Sequence, residues 1–235
     1  MSIRSRFSVE KYLVVGPENT LGRPVPVIVA AAVDAGFTCI QIRSKTASAG
    51  ELIRLCDLSA AEIARLGKSD DVALLVDDRL DVVLAAREKG IKVDGIHVGQ
   101  SDVPTAICRK YLGEESIVGL SAPVRNLIEF VRRADLSGID YLGAGPLHPT
   151  PTKTDCGLDE TTGEVVVRTI EELFELARAS RLPVVVGGGV KAADLPALAA
   201  TGVAGFFVVS AVAGAADPIA AARELAAAWC PTQSK

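Results

Sequence analysis

The five cysteines (Cys39, Cys56, Cys108, Cys156 and Cys230) include no CxxC pair, and no histidine pattern accompanies them. An odd number without pairing or metal-like spacing reads as reduced thiols and a cytoplasmic setting. No apolar run exceeds the length of a core helix or strand, so no membrane span is expected. The first ten residues are polar, which leaves no room for the apolar run of a signal peptide. Positive charge is not in excess: 25 Lys and Arg stand against 29 Asp and Glu, for a net charge of −4 and a pI near 5.3. That balance excludes nucleic acid or an anionic membrane as the general partner, while leaving a local anion site open. No linker, low-complexity tract or charge run divides the chain. The expectation is one domain over residues 1–235, with its core over about 11–229 and polar tails. With 49% hydrophobic and 23% charged residues, a chain of 235 residues can bury a large α/β core.

What is present is a rhythm. Short apolar runs at residues 12–15, 37–42, 72–76, 95–98, 116–120, 140–142, 183–186 and 205–209 read as strands. Between and after them, residues 24–35, 49–66, a segment after Arg79 up to 89, a segment near Pro104, 124–134, 164–179, 192–200 and 218–229 read as helices, several followed by glycine where a helix ends. Runs such as 72–76 are apolar throughout, as in strands buried on both faces. Eight alternating units predict a single (β/α)8 TIM barrel; a doubly wound open sheet is the rival. Polar residues just past nearly every strand favour the barrel, whose site is a ring, over the sheet, whose site is one switch point.

The densest chemistry lies at residues 143–153, GAGPLHPTPTK. Three prolines stiffen this loop, and Thr150, Thr152 and Lys153 offer hydroxyls and an ammonium suited to phosphate oxygens. Arg43 and Lys45 add cations from the second strand's end. Asp78 and Asp102 close strands three and four, neighbours in a barrel, and together can share one Mg2+, which favours oxygen ligands and keeps water and substrate phosphates. Either aspartate alone reads as a helix N-cap, and Arg43 with Lys45 alone as a solvated strand end. A second anion site is expected where Gly187-Gly188-Gly189 enters a helix, paired with Val209-Ser210. His97 lies in an apolar run and reads as a core histidine bonded to a neighbour; His148 reads as loop packing. No nucleophile or strong base stands out. That pattern suits a reaction between a diphosphate and a phosphorylated partner, with pyrophosphate leaving and catalysis mainly electrostatic.

Taken in order, the motifs Gln41-Ile42-Arg43-Ser44-Lys45, Asp77-Asp78-Arg79, residues 95–102 (GIHVGQSD), Gly119-Leu120-Ser121-Ala122, residues 145–153 (GPLHPTPTK), Gly187-Gly188-Gly189 and Val209-Ser210 resemble the thiamine phosphate synthase family over nearly the whole chain. The resemblance implies a Mg2+-dependent transferase joining hydroxymethylpyrimidine diphosphate to hydroxyethylthiazole phosphate, with dissociative loss of pyrophosphate. It implies that Asp78 and Asp102 hold Mg2+. Gln41, Arg43, Lys45 and Lys153 would bind pyrophosphate, with Asp77 beside them. Ser121 would stand near the breaking bond as a hydrogen-bond donor, making Ser121, Arg43 and Lys153 the catalytic set. Thr150 and Thr152 would line the site; Gly188, Val209 and Ser210 would take the thiazole phosphate. The chain departs from the family pattern at Asp77, where Asn is usual, and at His148, where an aromatic residue is usual. The polar stretch 155–163 is longer than the usual connection.

Two other readings compete. A thiazole tautomerase of the same fold would keep the thiazole-phosphate site without the pyrophosphate grip, and a non-catalytic phosphate-ligand sensor would need neither Mg2+ nor turnover. The expected partners are small-molecule substrates, with no nucleic acid and no membrane; homo-oligomerisation is left open.

Overall fold

A computed structural model describes residues 3–150, 157–159 and 162–230. The first half alternates β1 (Lys11–Val15), α1 (Val25–Asp34), β2 (Cys39–Ile42), α2 (Ala49–Arg65), β3 (Ala73–Asp77), α3 (Leu80–Glu88), β4 (Gly95–Val98) and α4 (Thr105–Leu112). The second half continues with β5 (Ile117–Ser121), α5 (Leu127–Arg133), β6 (Tyr141–Ala144), α6 (Ile170–Ala179), β7 (Val184–Val186), α7 (Leu195–Ala200), β8 (Gly205–Val208), α8 (Ser210–Ala213) and α9 (Pro218–Ala228). Each strand pairs in parallel with the next, and β8 closes on β1, so the eight strands form a closed barrel in chain order. The (β/α)8 expectation holds. No helix is long and apolar enough to cross a membrane among the described residues.

Local chemistry explains the helix boundaries. Ser48 and Glu51 form a reciprocal capping box that opens α2, the Ser48 backbone N–H donating to Glu51 at 2.8 Å. Asp217 accepts from the Ile219 and Ala220 amides at 3.0 Å each, and Pro218 follows at the first helical position.

Because side chains alternate along a strand, each strand serves two environments. Outward residues such as Leu13, Ile40, Leu74, Ile96 and Val118 join the helices in the main core. Inward residues Tyr12, Val14, Cys39, Ala73, Leu75, Ile117, Tyr141 and Val185 fill the bore. The strand registers pair Asp77 with His97, His97 with Gly119 and Ser121 with Gly143. At the closed lower end, Asp140 accepts from Arg4 Nε at 2.7 Å, Arg109 at 2.8 Å and the Val118 amide at 2.7 Å, tying three units together.

Four element readings are revised. The helix expected from residue 164 begins at Ile170, where Thr169 accepts from the Glu172 amide. Residues 164–169 stay outside the helix instead, since their valines are β-branched and their backbone has partners elsewhere. Leu158 bridges Val165, and the Val166 and Arg168 amides donate to Gly157 and Pro146, each at 2.8 Å. α5 starts at Leu127 rather than 124, after Asn126 in the left-handed region at φ 55°. Gly143 and Ala144 complete β6 rather than opening the loop, and the short α8 was not anticipated.

Gly119 faces the bore, where an added Cβ would overlap the Tyr141 ring. Gly119→Ala is expected to destabilise the fold by about 1–3 kcal/mol, the usual cost of overpacking, measured as a lower urea midpoint with an unchanged slope.

Candidate active site

The upper ends of β2 and β3 carry an electrostatic cluster. Gln41 is buried on the inner wall, and its amide nitrogen donates to the Asp77 carboxylate. Arg43 Nε lies 3.1 Å from the other Asp77 oxygen, with Lys45 3.9 Å away. Lys45 donates to Asp78 at 2.5 Å. Glu18, from the loop after β1, accepts from Ser44 and from Thr46, pinning the segment that presents both cations.

Strict alternation would send Asp77 and Asp78 to opposite faces. The chain avoids this because β3 ends at Asp77 and Asp78 adopts φ 58°, a left-handed conformation that aspartate tolerates better than most residues. Both carboxylates therefore reach the mouth. The Arg79 guanidinium turns away from the Asp77 carboxylate and grips Asp81 through two bonds of 2.8 and 2.6 Å, while its backbone N–H donates to the Asp77 carbonyl.

Asp102 comes from the loop after β4, where it accepts from the Gly99 amide at 2.8 Å and stands close enough to Asp78 to share a proton with it. Neither Asp78 nor Asp102 caps a helix, since Arg79 and Pro104 occupy those positions. Burial and the Asp78 bond push the Asp102 carboxyl up. Burial would also raise Asp78, but bonds from Lys45 and Asp102 outweigh it and hold Asp78 below the usual carboxylate range. Among the described residues no group of three or more His, Cys, Asp or Glu could hold a metal by itself. Two converging carboxylates with no third protein ligand fit Mg2+, which draws its other ligands from water and phosphate.

Across the bore, His97 Nε2 lies 3.0 Å from Ser121 Oγ, and His97 Nδ1 lies 2.9 Å from the Tyr141 hydroxyl. Tyr141 is 2.9 Å from the Tyr12 hydroxyl, which donates to Gln41 Oε1. His97 is thus bonded to its neighbours, as expected, and it also faces the mouth. Gly143 makes room for it, since a Cβ there would stand 3.2 Å from His97 Cε1. The Gln100 amide donates to the Ser121 carbonyl at 2.6 Å.

The later loops complete the rim. Thr150, Gly188, Gly189, Lys191, Val209 and Ser210 line the same cavity of about 650 Å³ as Arg43, Asp78, Asp102 and Ser121. His148 does more than pack: partly exposed, it meets Asp194 at 3.0 Å and joins the sixth loop to the seventh. Thr152 and Lys153 lie outside the described residues. Tyr12, Tyr141, Gln100 and Lys191 were not anticipated from the sequence. A count by twos back from Val14 along β1 and from Gly143 along β6 puts the two tyrosines on the inner wall.

A parallel barrel with paired carboxylates, cations and glycine-rich turns around one mouth is of the class of barrel enzymes that act on phosphorylated small molecules. A sequence profile described as thiamine monophosphate synthase matches residues 11–212. Thiamine-phosphate synthase of Corynebacterium efficiens is 44% identical over 194 residues, covering 83% of each chain. That of Syntrophomonas wolfei is 36% identical over 93% of this chain and 95% of its own. A solved thiamine phosphate pyrophosphorylase from Pyrococcus furiosus superposes with a TM-score of 0.73 at 29% identity, covering 93% of this chain and 94% of its own. The chain belongs to the thiamine monophosphate synthase family.

Asp77 sets a pH-dependent strain. Burial first, and then the charge of Asp78, push its carboxyl up to about 7, against the pull of Arg43 and Lys45. Between the ordinary aspartate range and about 7, the folded protein binds more protons than the unfolded chain, so this group's contribution falls as pH rises. Asp77→Asn removes the ionisation. The variant is expected to gain at least about 1 kcal/mol over the parent at pH 8 relative to their difference at pH 4, read from urea unfolding.

Proposed function

We propose that this chain joins an aminopyrimidine methyl diphosphate to a thiazole phosphate, releasing pyrophosphate and forming thiamine phosphate. The observation that carries the reading is the single mouth shared by Arg43, Lys45, Asp78, Asp102, Ser121, Gly188 and Ser210. It supports two phosphorylated reactants meeting in one cavity.

Arg43 and Lys45, with Lys153 from the sixth loop, grip the diphosphate. Both described cations pair with aspartates in the free protein, so they are held in place before a ligand arrives. Gln41 and Asp77 fix the inner edge of that grip. Asp78 and Asp102 would hold Mg2+, which supplies charge neutralisation for the departing pyrophosphate. The C–O bond breaks with its electron pair leaving on pyrophosphate, giving a resonance-stabilised pyrimidine methylene cation. The thiazole nitrogen then donates its lone pair to form the C–N bond. Ser121 stands beside the reacting carbon; Thr150 lines the pocket and helps exclude water. Gly188, Val209 and Ser210 hold the unreactive thiazole phosphate. A tautomerase would not need the cluster of Arg43, Lys45, Asp78 and Asp102, and a sensor would not turn over.

The decisive experiment mixes both substrates with Mg2+ and follows pyrophosphate; no release would remove this reading. Asp102→Ala is expected to raise the Mg2+ concentration needed for half-maximal rate by about tenfold or more, since half the protein's ligand charge is gone. Unchanged Mg2+ dependence would overturn the metal assignment. Ser210→Ala should chiefly raise KM for the thiazole phosphate, while Lys153→Ala should chiefly lower kcat, because charge builds only on the leaving group. Steady-state kinetics with each substrate varied separates the two.

A further inference from the structure

The inner wall carries an unbroken line of hydrogen bonds, from Asp77 through Gln41, Tyr12, Tyr141 and His97 to Ser121. It draws on β1 to β6, crosses the bore below the mouth, and joins the diphosphate side to the reacting side. We propose that Asp77 sets the direction of every bond in this line, fixing His97 as the Nδ1–H tautomer and turning Ser121 Oγ into an acceptor toward the bound ligand.

The direction follows from counting protons. Asp77 accepts from Arg43 on one oxygen, and its other oxygen faces the Gln41 amide nitrogen. A carboxylate only accepts, so Gln41 must donate there and present its carbonyl to Tyr12. Tyr12 then spends its one O–H on Gln41. The Tyr12–Tyr141 contact of 2.9 Å can form only if Tyr141 donates to Tyr12. With its own proton committed, Tyr141 can only accept at the 2.9 Å contact with His97, so Nδ1 carries the hydrogen. In the neutral ring Nε2 is then bare, and Ser121 donates to it across 3.0 Å. Burial pushes both phenols well above the ordinary tyrosine range, so each keeps the single proton this count requires. Tyr12 and Tyr141 are buried, and Phe207 and Phe7 pack against them with ring centroids 6.2 Å away, which disfavours a water as substitute partner.

With its proton committed to His97, Ser121 offers lone pairs to the cavity. It would take an N–H donor, such as the exocyclic amine of an aminopyrimidine, rather than act as the donor that the family resemblance implies. That consequence for catalysis rests on the proposed reaction; the tautomer does not. Asp77, Tyr12, Tyr141 and His97 act as positioning residues. An asparagine at position 77 would reverse the line. Its oxygen would stay toward Arg43, its NH2 would face Gln41, and the glutamine would turn over. Tyr12 would then donate to Tyr141, Tyr141 to His97 Nδ1, and His97 Nε2–H to Ser121.

The test is nitrogen NMR of histidine in the free, isotope-labelled protein at mildly alkaline pH. Only two histidines are present, and a His148→Asn sample identifies the second set of signals. The parent is expected to show His97 protonated on Nδ1 alone, and Asp77→Asn to move the hydrogen to Nε2. Tyr141→Phe removes the acceptor for Nδ1–H and is expected to shift His97 away from that tautomer, which keeps the test in hand if Asp77→Asn folds poorly. These spectra are read without substrate, so failure of the proposed reaction leaves them interpretable. A parent His97 carrying its hydrogen on Nε2, a doubly protonated ring, or an Asp77→Asn protein that folds with the tautomer unchanged would each overturn the assignment.

Discussion

A polar side chain on the inner wall of a closed barrel has no bulk water to fall back on, so it must find its partner inside the bore. That constraint governs the upper half of this molecule. Gln41 and His97 are buried and Ser121 partly so, and each meets a neighbour projected from a different strand. The satisfied network therefore requires several strands to hold their registers at once. It also explains the company these groups keep. Glycines at 119 and 143 surrender volume on the wall so that the Tyr141 ring and the His97 imidazole can cross it.

Above this layer the governing term changes from desolvation to charge. Asp77, Asp78, Arg43 and Lys45 gather within ion-pair reach at the rim. The left-handed backbone at Asp78 is what brings adjacent carboxylates to one side. Local strain of this kind persists where the surroundings enforce it, and here the Asp78 amide is held by the His97 carbonyl at 2.8 Å. The free protein thus balances its own charges internally, and a diphosphate with its metal would redistribute pairings that already exist.

Much of this was legible in the sequence. Eight apolar runs separated by amphipathic stretches yielded the barrel, and the polar residues after each run yielded most of the rim. The element boundaries that moved did so for tertiary reasons. Residues 164–169 carry a local warning in their β-branched valines, but the claim of Gly157 and Pro146 on their backbone is one that no local window can see. The tyrosines were overlooked because Tyr12 and Tyr141 sit inside apolar runs and look like ordinary core. Their hydroxyls gain meaning only once the strands are placed side by side. The His148–Asp194 contact likewise joins loops far apart in the chain.

The aromatic packing of the bore has a last consequence. Tyr12, Tyr141, Phe7 and Phe207, with Val14, Leu75 and Val185, stopper the barrel from below. Among the described residues the cavity is a vessel with one opening, and whatever enters must leave by the same aperture. Entry and exit then share one route, imposed by a plug of uncharged rings rather than by the charged rim above it.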